Sequence, residues 1–483
     1  MKIFRSRWWG LILAVSLVLG LAGGIPTPVK AASLVVDDSA DDANAHDWLP
    51  GNGVCSDALG RCTLRAAVEE TNALAGADTI TFANSMYILL DTTEGQLPAI
   101  TDQLRLDASS VWDTADNRPG VTVNGGNQGL PGLDLLASNC EVYGLFLFGF
   151  GDAISVYYPS NTIGGTLQGW RNVIAGNSGR GVFIYGTSAH HNVVRGNWIG
   201  LSITGDSKQP NYNGVVIAGG AYENTLGGDT YGQGNYISGN TNAGVEIAGD
   251  NTDGNRLGAN FIGTPAVGSS NVGNGAAGVA IHHGPRYTQI GGSVGGVTGN
   301  LIGYNGQEGV LIWDAHSNWV EVNIIISNQT EGVYVTGGAG NQVLRNTIAG
   351  NMSNGVLVAG AAATGNSILA NSIVANGGKG IELVNGGNTE LAAPTITMAS
   401  ASGAAGTGCA FCVINLFSDT TDEGETYEDF ANVDGNGNWS YAGALTGPHV
   451  TATNTDAGNN TSEFSAPKTI QFSLYLPLIL RSP

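Results

Sequence analysis

Between residues 300 and 388 the chain alternates apolar and polar positions in short bursts, each opened by a glycine. The bursts are Gly309-Val-Leu-Ile312, Gly332-Val-Tyr-Val335, Gly355-Val-Leu-Val358 and Gly380-Ile-Glu-Leu383, with the glycines 23, 23 and 25 residues apart. Period-2 alternation puts the first and third residues after each glycine on one side and the residue between them on the other. Asparagines recur in step, at Asn318/Asn323/Asn328, Asn341/Asn346/Asn351 and Asn366/Asn371/Asn376. Each period therefore holds two five-residue edges and one longer edge. A fixed period of this length predicts a solenoid of short parallel strands, one coil per period. Stacked asparagine amides at the corners would satisfy turn backbone groups; that structural role accounts for them better than sugar binding does.

The same pattern extends upstream. Strands are predicted at 79–82, 87–90, 104–106 and 121–123, and further anchor glycines fall at Gly151, Gly181, Gly214, Gly244 and Gly278. Longer periods here point to outward loops, as at residues 201–211 and 264–274. About a dozen coils at ~4.8 Å would make a rod of roughly 55 Å. The repeat stops at Thr389-Glu-Leu-Ala-Ala-Pro394. Residues 391–470 then alternate with turn signals, predicting a small immunoglobulin-like sandwich that serves as a spacer or binding module. Within it, Asp434-Gly-Asn-Gly-Asn438 lacks the closing acid of a calcium loop and predicts a tight turn.

Both ends are apolar. Lys2, Arg5 and Arg7 precede an apolar run that closes at Val29-Lys30-Ala31, the pattern of a secretory signal peptide over residues 1–31. The membrane would be met only through that segment before cleavage, and the mature chain would be secreted or held at the cell surface. Residues 471–483 are a short apolar tail, too short to span a bilayer, expected as a last strand or a sorting signal. Export makes the five cysteines disulfide candidates. Cys55 with Cys62, and Cys409 with Cys412, are expected to pair, and Cys140 to be a buried thiol. Zinc at the second pair would need two more ligands, and only His449 is near in sequence.

Residues 33–108 resemble a CSLREA domain, an N-terminal module of exported bacterial repeat proteins. Cys62-Thr-Leu-Arg-Ala-Ala67 matches the signature with Ala66 in place of its glutamate; the upstream Cys55 and the Asp-Thr-Ile-Thr-Phe that follows also fit. The resemblance implies export and a right-handed parallel β-helix after the module, with no activity to carry over. The residues agree: Thr63 can cap a helix with apolar positions Leu64, Ala67, Val68, Thr71 and Leu74, ended by Gly76. Placed before the first strand at 79–82, that helix would close the open end of the solenoid. The expected organisation is then a signal peptide (1–31), a cap with the first coils (32–108), β-helix coils (109–390), the sandwich (391–470) and the tail.

Composition narrows the partners. Charged residues are 12% of the chain and the net charge is −21, or −25 once Lys2, Arg5, Arg7 and Lys30 leave with the leader. Such a surface repels phosphate backbones, which disfavours nucleic acid. Neutral glycans, cell-envelope components, proteins and cations remain, and nothing in the sequence calls for an oligomer.

Chemistry on a solenoid depends on its outward columns. Aligning the glycines gives one column of Phe183, Val216, Glu246, Ala280, Leu311, Tyr334, Leu357 and Glu382, whose two acids lie too far apart to cooperate. The next is Tyr185, Ala218, Ala248, His282, Trp313, Thr336, Ala359 and Val384. One constellation emerges on three successive coils: His282 and His283, Trp313 and Asp314, with Glu308 and Glu331. Trp313 beside the histidines offers a platform for a sugar ring. Glu308 and Glu331, one coil apart, could share a proton or hold calcium. The patch contains no lysine. The pattern therefore favours a non-catalytic protein presenting a rigid surface to glycan or protein. A polysaccharide lyase or glycoside hydrolase using Glu308, Glu331 and Asp314 is the alternative.

Overall fold

The computed structural model describes residues 31–269, 271–292 and 298–471; the expected signal peptide and nearly all of the apolar tail lie outside these. The chain winds as a right-handed parallel β-helix whose coils build three parallel sheets of 12, 11 and 10 strands, here sheets A, B and C. Sequence registers hold strand by strand. In sheet C, Ile184, Ile217, Ile247, Ile281 and Ile312 fall on one another, all fully buried. Inward Val and Ile from all three sheets fuse into one continuous apolar core.

Corners are where such a rod could fail, because the backbone turns inside a dry stack and its amides leave the sheets. Three columns of buried asparagine solve this. In one, running from Asn172, the asparagines Asn197, Asn235, Asn260, Asn300, Asn323, Asn346 and Asn371 each take the backbone N–H of the preceding member on the side-chain oxygen. The side-chain NH₂ donates onward to the next amide, as from Asn300 to Asn323 at 2.9 Å, and to a carbonyl, as from Asn323 to Ile290 at 2.8 Å. The second column runs from Asn161 through Asn192, Asn224 and Asn255, with Thr288 interrupting before Asn318, to Asn388. The third runs from Asn177 to Asn376. The anchor glycines belong to the same construction. A Cβ at Gly309 would lie 2.4 Å from Ile325 Cγ2 and 2.8 Å from the Asn328 amide.

The N-terminal end is closed as expected by the helix Leu64–Ala73, capped by Thr63, whose Oγ1 accepts from the Ala66 N–H at 3.1 Å. Leu64, Ala67 and Val68 continue the rod's core. The buried Arg65 binds Asp41 through two nitrogens, at 2.7 and 2.9 Å, and donates to the carbonyls of Gly95 and Gln96. Two details differ from the sequence expectation. The first strand is Ser33–Val36, ahead of the helix, pairing in parallel with Asp78–Phe82; this four-residue alternation stands alone before the repeats, next to the expected leader. Gly151 is not an anchor: Val182 pairs with Ile154, which aligns Gly181 with Ala153. Cys55–Cys62 and Cys409–Cys412 are disulfide-bonded, and Cys140 is a buried thiol.

Beyond Pro394, three-stranded and four-stranded antiparallel sheets enclose a core around Ile414, Leu416, Trp439 and Val450, an immunoglobulin-like sandwich. It is no mere spacer, because it seals the open C-terminal coil. The third asparagine column ends on its Glu423, whose carboxylate accepts from the Asn376 N–H (3.0 Å) and side-chain amide (3.1 Å). Ile368 N–H donates to Thr461 Oγ1, Leu383 N–H to Glu463, and Ile373 N–H to the Gly424 carbonyl. Phe464 wedges against Gly380 and Gly424, where a Cβ would lie 2.9 and 2.2 Å from its ring, and packs on the rod's core. The loops at 201–211 and 264–274 fold back onto sheet B, where Leu201 and Val272 bury Phe146, Val173 and Trp198.

Two outcomes follow from this construction. Asn323→Ala orphans the Asn300 backbone and side-chain donors and is expected to cost about 2–3 kcal/mol, read by urea unfolding. Phe464→Ala should open the last coils before the rest, seen as faster amide exchange at residues 367–384 with 182–258 unchanged; uniform exchange would argue against a capping role.

Candidate functional site

The outer face of sheet C carries the residues singled out above. Its strands Arg180–Tyr185, Asn213–Ala218, Val245–Ala248, Val279–His282, Val310–Trp313 and Val333–Thr336 pair in the expected order, with His282 against Ala248 on one side and Trp313 on the other. Both outward columns match those deduced from the glycines, from Phe183 to Glu382 and from Tyr185 to Val384.

Of the six predicted residues, three converge. His282 Nδ1 lies 2.8 Å from His283 Nδ1. His283 packs its ring on Trp313 with centroids 4.5 Å apart, and Trp313 is 47% exposed. His283 also has φ +58°, so the chain turns sharply there and directs both imidazoles over the same patch.

A residue set aside in the sequence completes the group. Glu246 Oε1 is 3.2 Å from His282 Nε2, and its other oxygen accepts from the Asn213 side-chain amide at 2.6 Å. Glu246 sits two positions back from Ala248, the register partner of His282. It is thus a diagonal neighbour on the next strand, within reach of a long side chain. A same-column search for acids could not find it; a diagonal search would have.

One tautomer pair satisfies this chain of contacts. His282 donates from Nε2 to Glu246 and accepts at Nδ1 from His283 Nδ1–H, leaving His283 Nε2 free to accept. The hydrogen bond from His282 holds the Glu246 carboxyl below its ordinary value, opposed by burial. With its folded value depressed, Glu246 contributes stability above the ordinary carboxylate range and loses it as pH falls through the lowered value.

The other three predicted residues separate from this group. Glu308 is pushed up by burial and, less, by the charge of Glu331; its Oε2 is buried with no hydrogen-bond partner among the described residues. Glu331 is engaged by Ser353 Oγ at 2.8 Å, and no hydrogen bond joins the two carboxyls among the described residues. Asp314 has φ +49° at the strand's end, and its carboxylate lies 3.9 Å from His316 Nε2. Nowhere among the described residues do three or more His, Cys, Asp or Glu side chains converge as a metal site. Glu308 and Glu331 together offer four oxygens, where calcium takes about six to eight.

Upstream on the same face, Asp152 binds Arg180 at 2.8–2.9 Å. The guanidinium lies 3.6 Å from the Phe183 ring centroid, and Phe183 packs on Tyr185 at 5.1 Å. Tyr185 crosses Gly219, where any Cβ would lie 2.5 Å from its ring.

Among protein families, one described as a right handed beta helix region matches residues 213–396, which contain the coils of Glu246, His282 and Trp313. No curated protein sequence matches. Solved structures with a similar course of chain include the periplasmic alginate epimerase AlgG, at 12% identity and TM-score 0.40, covering 64% of this chain and 74% of that one. The A-module of the Azotobacter vinelandii mannuronan C-5 epimerase AlgE6 gives 17% and 0.42, covering 66% and 90%. A tailspike protein of E. coli bacteriophage HK620, solved with a pentasaccharide, gives 12% and 0.25, covering 87% and 92%.

His282→Ala removes the strongest downward influence on Glu246. Its carboxyl is expected to titrate at higher pH, followed by carbon-13 NMR of the side chain; an unmoved titration would show that the imidazole contact does not form.

Proposed function

We propose that the protein is exported and acts as a monomeric rod whose sheet C face binds glycan, without chemistry on it. The observation that supports this most is the exposed Trp313 indole beside the hydrogen-bonded row Asn213, Glu246, His282 and His283. An indole face covers the C–H surface of a sugar ring, and carboxylate and imidazole groups take its hydroxyls. The face is rigid because every coil beneath it is tied by amide columns, which lowers the ordering cost of binding. The repeat of ~4.8 Å between coils presents these groups along a line, suited to an extended chain. Export rests on the leader pattern, the two disulfides and the CSLREA-like N-terminal sequence.

The His282–Glu246 contact favours one other reading, a lyase or hydrolase at the same face. Against it, Glu246 and Glu308 are two coils and three residues apart, roughly 14 Å between Cα atoms, and Glu246 is turned to Asn213 and His282 instead. An inverting pair needs carboxyl groups about 6.5–9.5 Å apart.

A glycan array followed by titration of the best ligand tests both readings. Trp313→Ala is expected to weaken binding roughly tenfold or more, Glu246→Gln to weaken it less, and EDTA to leave it unchanged, since the side chains and not calcium hold the sugar. Release of new reducing ends or unsaturated products by the wild type, lost in Glu246→Gln, would overturn the non-catalytic reading.

A further inference from the structure

A second feature lies away from sheet C, where the sandwich meets the last coils. The outer face of its four-stranded sheet packs over the terminal coil. At one edge the two modules part to leave a cleft of about 440 Å³, within the roughly 300–1,000 Å³ of small-molecule sites, which favour junctions of this kind. From the rod, Gln342, Leu344, Arg345 and Leu369 line it; from the sandwich, Asn415, Tyr427 and Phe430.

Two features set this cleft apart from an ordinary seam. Asn415 is 4% exposed and lines the cleft, and no side-chain hydrogen bond joins it to another described residue. Its amide atoms are not among the buried polar atoms that lack a partner, so they face the water of the cleft, which the hydroxyls of a ligand can replace. The Gln342 side chain is likewise without a partner there. Beside Asn415, its register partner Phe430 on the neighbouring strand leaves 53% of its surface to solvent, a flat apolar face next to one amide and facing the rod that carries the other.

Aromatic surface continues along the rod. Gln342 pairs in register with Trp319 one coil away, and the Tyr287 ring follows 6.0 Å from the Trp319 ring. Charge is scarce and largely spent. Arg345 is held by Glu321 at 3.1 Å, and Asp456 on the rim accepts from the backbone amides of Gly458 and Asn460. Free amides and aromatic faces, with Arg345 paired and the Asp456 carboxylate occupied by backbone donors, match a ligand that is uncharged, rich in hydroxyls and flat on one side.

We infer that this cleft is a second binding site, for a neutral oligosaccharide, with one ring stacked on Phe430, hydroxyls hydrogen-bonded to Asn415 and Gln342, and the chain running over Trp319. The site exists only in the assembled molecule, because each module supplies half of it. It stands on residues separate from those of the sheet C face.

Isothermal titration of the purified protein with cellotriose, xylotriose, mannotriose and, as the acidic comparison, trigalacturonate tests this. Phe430→Ala and Gln342→Ala are surface changes expected to leave thermal unfolding in place, and Trp313→Ala reports the other face. At least one neutral trisaccharide should bind, weakened roughly tenfold by Phe430→Ala and by Gln342→Ala and unchanged by Trp313→Ala. The inference is overturned if no neutral trisaccharide binds, if trigalacturonate is preferred, or if Phe430→Ala and Gln342→Ala bind as the wild type. Binding lost only in Trp313→Ala also overturns it, and assigns the sugar to sheet C instead.

Discussion

Three columns of buried asparagine amides are the constraint on which this structure depends. A coil that turns three times inside a dry stack leaves backbone N–H groups at each corner with no sheet to receive them, and each such group left bare costs about 1–3 kcal/mol. An asparagine can accept a backbone amide from one side while donating to the next amide and to a carbonyl, so one residue type serves the corners of all three columns, with Thr288 standing in once. The amide spacing and the strand spacing must agree for this to work, which keeps the coils in register. The glycines are a consequence: with an isoleucine methyl and an amide pressed against their Cα, as at Gly309, no side chain fits.

Columns of this kind have ends, and the ends decide what the flanking modules are for. At the start, the backbone amides of Cys140, Leu145 and Phe150 feed the first asparagines, and the helix Leu64–Ala73 covers the core further down. At the other end the sandwich supplies what a further coil would have supplied. Glu423 replaces the next amide of one column, and Thr461 takes the Asn388 side-chain amide with its carbonyl at 3.0 Å at the end of another. Phe464 and Phe417 close the apolar core between them. A module that looks like an appendage in the sequence is thus part of the rod's stability, and its position creates a cleft that neither part has alone.

With the interior given over to valine, isoleucine and asparagine, recognition is left to outward positions and to the places where regularity breaks. The Glu246, His282, His283 and Trp313 group lies where looped coils give way to regular ones. The Asn415 and Phe430 cleft lies where the coils end. Both set an aromatic face beside groups that can hydrogen-bond a sugar, on backbones held firm by the layers beneath.

The repeat made the fold legible: period-2 alternation and recurrent asparagines determine the coils, their register from Gly181 onward and the identity of every inward column, because a stacked solenoid makes sequence spacing and spatial spacing the same thing. The helix over the N-terminal end was legible for a similar reason, since Thr63 and the apolar positions after it are local signals. Gly151 misled because the early coils lack the strict period, and the glycine nearest the expected place was two residues from the true register. Within the site, His282, His283 and Trp313 could be placed from columns alone. The partnership of Glu246 with His282 could not, because it runs diagonally between strands and depends on side-chain reach. Glu308, Glu331 and Asp314 shared the coils of that group, but the burial of one, the serine bound to another and the turned backbone of the third separated them from it. The meeting of Asn415 with Gln342 was beyond any reading of the repeat. It joins residues from two modules with no common period, and only the packing of the sandwich on the last coil brings them together.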